Sequence, residues 1–136
     1  MHERRYALDV ALMVKTLVIV LIAAVLGGTG HVFLAKGMRP VGDLIEAPSD
    51  RIGGMVTRAI SNPWLIVGVV LQAGFFFIYL TLLTRADVSL VLPLTAVDYI
   101  VVAVLAQYLL GEIVTPVRWA GMGLIVAGVG LLSKTY

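Results

Sequence analysis

No cysteine occurs among the 136 residues, and only 13% of them are charged, about half the share found in an average soluble domain. The first absence removes disulfide scaffolds, redox centres and thiolate metal sites. The second removes soluble enzyme folds and disordered tails. What fills the space is hydrophobic: 60% of the residues are apolar and mean hydropathy is +1.03, the composition of a membrane protein. A net charge of +2 and a pI near 9.2 point to nucleic acid only where the basic residues cluster. Here the ten Lys and Arg residues are scattered among apolar runs and form no continuous basic stripe. Lipid headgroups, not DNA or RNA, are the surface partner this pattern suits.

A spanning helix needs about 20 apolar residues, and four such stretches can be read along the chain. They cover 16–35, 63–84, 88–110 and 116–133, within a single domain over 1–136. Arg4, Arg5 and Lys15 precede the first stretch in the manner of a secretory signal, but the run exceeds the 7 to 15 residues of a signal core and reads as a retained helix. Pro63 with Trp64 opens the second, and Asp87 or Ser89 caps the third, which ends before Gly111. Thr115 followed by Pro116 opens the fourth. The expected fold is an all-α integral membrane protein of four transmembrane helices, with both termini on one side. The polar stretch 37–62 is either a short helix lying in the interface or an amphipathic linker, with a bend expected at Gly53 and Gly54. Lys and Arg divide evenly: Arg4, Arg5, Lys15, Arg85 and Lys134 on the side of the termini, and Lys36, Arg39, Arg51, Arg58 and Arg118 on the other. Such balance permits both orientations, and the expected assembly is a homodimer, antiparallel if both orientations occur, with a heterodimer as the alternative.

One acid lies deep in a span. A charge at the centre of a helix in lipid costs about 2.5–3.5 kcal/mol, so Asp98 needs a partner, water or a proton. Thr95, Val102 and Ala106 continue its face, and Pro93 should kink the helix just before it. Tyr99 is adjacent, either aimed into the same space or packing. On the second span Gly68, Gln72 and Tyr79 share a face, suiting either a polar cavity wall or an interhelical hydrogen bond. In the first, Ala24, Gly27, Gly28, His31 and Ala35 form a stripe where His31 either meets cargo or serves as a structural histidine. No second ligand lies at metal-binding spacing, and neither cofactor nor metal is expected. Gln107 falls opposite Asp98 and reads as an interface or packing group. In the fourth, Gly121, Gly123, Ala127 and Gly128 form a small-residue surface for packing against another subunit. Catalytic triads, phosphate loops and paired carboxylates are missing, so no enzyme is expected.

The segment from Val88 to Leu132 resembles the drug/metabolite transporter superfamily: the run SLVLPL, the LGE of Leu110, Gly111 and Glu112, the pair Arg118 and Trp119, and a glycine-rich last helix. The stretch from Asn62 to Leu83 is similar to the same group, and GGTGHVFLAKG of the first helix more weakly so. EamA-type halves and small multidrug resistance proteins share these features. Within the superfamily, proton-coupled drug exporters carry a first-helix glutamate about eight residues before a lysine like Lys36, where this chain has Gly28. The branch of subunits that flip aminoarabinose-linked undecaprenyl phosphate has a third helix of the type PLLSLNYVLVALAA. That helix is similar to PLTAVDYIVVAVLAQ here, with Asp98 in place of Asn.

The resemblance implies a flippase of an undecaprenyl-phosphate-linked sugar in the bacterial inner membrane. Its substrate-facing groups would be Asp98, Tyr99, Gln72, Tyr79, His31 and Thr95, with Lys36, Arg39, Arg85, Arg118 and Glu112 at headgroup depth. Each of these bases also suits an ordinary helix-end anchor, and Glu112 is expected to pair with Arg118 across the turn. The alternatives are a proton-coupled exporter of organic cations, in which Asp98 replaces the missing acid, and a membrane interaction subunit that transports nothing.

Overall fold

The computed structural model describes residues 2–132 and 134, and within these the secondary structure is helical. Six helices follow one another: α1 (His2–Met38), α2 (Ser49–Ile60), α3 (Pro63–Leu83), α4 (Val88–Thr95), α5 (Asp98–Leu109) and α6 (Pro116–Leu132). By length and composition three apolar stretches can cross a bilayer: Val10–Met38, Pro63–Leu83 and the α4–α5 unit Val88–Leu109. The fourth, α6, is apolar but shorter, with 17 residues. The expected end of this stretch at Ser133 lies outside the described residues.

The first helix is longer than the apolar run that announces it. It starts at residue 2 rather than 16, because Glu, Arg, Ala and Leu before Thr16 are good helix formers and no Pro or Gly interrupts them. At its other end Asn62 fastens the next helix to it. The Asn62 side chain donates to the Gly37 carbonyl at 3.1 Å and accepts from the Trp64 N–H at 2.9 Å, so one residue both caps α3 and staples it to α1.

Along the rest of their length α1 and α3 run antiparallel in a regular register. Gly37 meets Leu65, Leu34 meets Gly68, Gly30 meets Gln72 and Gly27 meets Phe75. The steps of three and four residues are those of a heptad seam, and each pair sets a glycine against a large side chain. A Cβ on any of these four glycines would stand 2.6–3.1 Å from its neighbour. In lipid, where no hydrophobic force drives helices together, such close approach is what holds them. Farther along, Val20, Leu82 and Val91 form the buried cluster that joins α1, α3 and α4.

One expectation holds and one is corrected. The third span is interrupted where Pro93 is expected to kink it, and the kink is a break: α4 ends at Thr95 and α5 begins at Asp98. Between them the Ala96, Val97, Tyr99 and Ile100 N–H groups donate to carbonyls three residues back instead of four. The break therefore sits after Pro93, immediately before the acid. The stretch 37–62 contains a genuine helix, α2, which runs straight through Gly53 and Gly54 without the expected bend. No neighbour lies within 4 Å of a Cβ placed on either, so nothing pulls the chain aside there.

Candidate functional site

The break before α5 places Asp98 in the first turn of a new helix, where the positive end of the helix dipole favours a carboxylate. The residue is only 4% exposed. It turns toward α1, and the glycines there make room: a Cβ on Gly27 would lie 3.3 Å from Asp98 Oδ2, and one on Gly28 would lie 2.7 Å from Val101 Cβ. His31 of α1 brings its Nδ1 to 3.6 Å from Oδ2, an ion-pair distance that is long for a direct hydrogen bond. The imidazole is half exposed, at 49%, while the carboxylate is enclosed. His31 thus connects a buried acid to the outside of the helix bundle.

Gln72 lies about one turn along the α1–α3 seam from the contact of Gly27 with Asp98, packed on Gly30. Its Oε1 is buried and has no hydrogen-bond partner, so that oxygen makes no interhelical hydrogen bond. Tyr79 stacks on Phe75, with ring centroids 6.3 Å apart, and packs against the Val20–Leu82–Val91 cluster. Thr95 donates its hydroxyl to the Leu92 carbonyl at 2.7 Å. Among the described residues no cluster of three His, Cys, Asp or Glu groups could hold a metal ion.

The side of α5 that carries Asp98 also borders a cavity. Tyr99, Val102, Ala103 and Ala106 line a cavity of about 390 Å³ against Val114, Gly121, Met122 and Ile125, with Glu112 and Arg118 also in its wall. Val102 and Ala106, 40° and 80° round α5 from Asp98 at 100° per residue, continue its side of the helix and also line this cavity. The expected pairing of Glu112 with Arg118 is also replaced. Arg39, at the end of α1, bonds Glu112 Oε1 at 2.6 Å and the Leu110 carbonyl at 2.9 Å, tying α1 to the end of α5. Gly111 turns the chain there with φ +66°, and the Glu112 N–H returns to the Ala106 carbonyl. Lys36 lies over the Trp64 ring, 3.9 Å from its centroid, and Arg85 is exposed in the turn after α3. Gln107 is exposed, and Gly121, also exposed, lies in the wall of the cavity.

Sequence reading missed Phe75, Val101 and Gly30, whose importance appears only when helices are docked. It also missed Met122 and Ile125, although their spacing from Arg118 puts all three on one helical face.

The EamA-like transporter family model matches residues 51–134, covering α2 through α6. The chain belongs to the EamA-like transporter family. Within known EamA-like and related proteins it is similar to the probable 4-amino-4-deoxy-L-arabinose-phosphoundecaprenol flippase subunit ArnE of Pseudomonas savastanoi pv. phaseolicola, with 27% identity over 79 residues, 58% of this chain and 69% of that one. The same-named subunit of Serratia proteamaculans is 30% identical over 78 residues, 57% of this chain and 68% of its own. That of Pseudomonas aeruginosa strain LESB58 is 30% identical over 79 residues, 58% and 69% respectively. No solved structure matches. As an EamA-like protein with three membrane-length helices, the chain is a multi-pass membrane transporter.

Proposed function

We propose that this EamA-like chain is a flippase subunit that moves an undecaprenyl-phosphate-linked sugar, or a similar lipid-linked amphiphile, across the bacterial inner membrane. In this reading α6 is the fourth span, both termini lie on one side, and the working unit contains two subunits. The second is another copy or a related chain. Position 28 carries the reading. A Cβ there would stand 2.7 Å from Val101 Cβ and 3.1 Å from the Asp98 carbonyl, so α5 occupies the space that an exporter's first-helix glutamate needs. The polar groups left inside the helices are Asp98 with His31, and Gln72, a set suited to hydroxyl and amine groups of a sugar. The names of the relatives support the same cargo.

The test uses inverted membrane vesicles that carry the protein and an undecaprenyl-phosphate-linked aminosugar. Transport removes the aminosugar from, or delivers it to, a membrane-impermeant amine reagent. Labelling should change only when the chain is present, and Asp98→Asn should retain that activity, since the resembling third helix carries Asn there. Proton-driven uptake of an organic cation, abolished by Asp98→Asn and unaccompanied by any lipid movement, would establish the exporter instead.

A further inference from the structure

Tyr99, Val102, Ala103 and Ala106 of α5 face Met122 and Ile125 of α6 across a trench whose walls are almost wholly apolar. Two charges stand in its wall, and they are not equivalent. Glu112 is neutralised by Arg39, whereas among the described residues the Arg118 guanidinium has neither an ion pair nor a hydrogen bond. The trench is therefore a hydrocarbon slot with one uncompensated cation near the α6 N-terminus.

We propose that this slot holds the first units of the hydrocarbon chain of an isoprenoid phosphate, with the phosphate on Arg118. The inference rests on the flippase reading and specifies which part of the substrate goes where. A sugar seated here would leave its hydroxyls unsatisfied against Val, Met and Ile side chains. An organic cation would be repelled by Arg118. A phosphate suits it, because guanidinium matches phosphate oxygens bidentately and stays charged. From Ala106 to Tyr99 the slot descends about 10 Å, at roughly 1.5 Å per residue, into a hydrocarbon layer about 30 Å thick. It can thus grip the chain next to the phosphate while the remainder stays in the bilayer. Gly121 supplies part of the room: a Cβ there meets nothing within 4 Å, so the wall is open at that point.

The experiment is a native mass spectrometry titration of the full chain in nanodiscs with undecaprenyl phosphate, undecaprenol and phosphatidylglycerol. Gly121→Leu fills the slot without a clash and should weaken both isoprenoids about tenfold, and Arg118→Gln should weaken only the phosphate, also about tenfold. Val117→Phe adds bulk on an exposed position of α6 outside the slot and should change neither. Unaltered isoprenoid binding by Gly121→Leu, with helical content intact by circular dichroism, overturns the proposal. So does phosphatidylglycerol binding as tightly as undecaprenyl phosphate, which would make the slot an ordinary phospholipid site. The two readings fail separately. Binding as expected without movement of the lipid-linked sugar in vesicles removes the flippase and leaves the slot. Movement that is normal together with binding indifferent to Gly121→Leu removes the slot alone.

Discussion

At the scale of single residues, glycine decides where the polar groups of this chain can lie. Gly27 and Gly28 are needed for space, since any side chain at 28 meets Val101 of α5 and crowds the Asp98 backbone. Gly28→Ala should destabilise the protein by about 1–3 kcal/mol, the usual cost of overpacking a tight contact, as measured by reversible unfolding in detergent. Adding Val101→Gly should recover part of that loss, because it removes both obstructing atoms, Cβ and Cγ1, where Val101→Ala would keep the nearer one. If the second substitution restores nothing, the clash is not the cause. Asp98 itself is legible in the sequence, as an acid far from either end of its apolar stretch. Its neighbour is not legible: His31 and Asp98 are 67 positions apart, and nothing in spacing predicts that two stripes on different helices meet. The same applies to Arg39 and Glu112, whose bond crosses 73 positions. Local sequence offered Arg118 as the nearer partner, and the docking of α1 against the end of α5 supplied a closer one.

Among the elements, those defined by local chemistry could be read directly, and those defined by packing could not. Asn62 with Pro63, and Thr115 with Pro116, start helices in the structure as their cap chemistry dictates. The split of the third span into α4 and α5 was visible only as a proline, because its position depends on where the helix regains its bonding after Pro93. Gly111 is a different kind of glycine from Gly28. A Cβ on it would touch nothing within 4 Å, but its φ of +66° is unfavourable for any other residue. Gly111→Ala should therefore cost roughly 1–2 kcal/mol from backbone strain alone, and Gly111→Asn less, both read from thermal unfolding. An equal cost for the two would point to something other than strain. The helix α2 has Ile52, Val56 and Ile60 on an apolar face, all uncovered by the rest of the chain, opposite Arg51 and Arg58. Lying in the headgroup layer, it should protect single cysteines at 52, 56 and 60 from a water-soluble maleimide in proteoliposomes, while those at 51 and 58 react. With no native cysteine the background is clean. Uniform reactivity would mean a helix standing free in water.

For the whole molecule the question is what covers α6. Its contacts with the other helices are sparse, and Gly123 and Ala127 lie on the side opposite Arg118, Gly121 and Ile125, at 100° per residue. One side of α6 thus faces the slot, and the other presents small residues to whatever lies beyond the chain. If a second subunit packs there, native mass spectrometry should find a dimer that Gly123→Leu and Ala127→Leu each convert into monomer, while Gly121→Leu, on the slot side, should leave it intact. Loss of the dimer in all three would mean that the slot side also forms the contact. If the chain is a dimer of four-span subunits, as proposed, the relative direction of the two would follow from an even charge count, five basic residues toward each side. Arg39, however, has its charge engaged by Glu112. Removing that engagement with Glu112→Gln frees one more positive charge on the loop side, so a single cysteine at position 134 should shift its labelling toward the orientation that keeps those loops cytoplasmic. A cysteine there that labels from one side only, both before and after the change, would exclude antiparallel pairing and leave a parallel dimer as the arrangement compatible with the small face of α6.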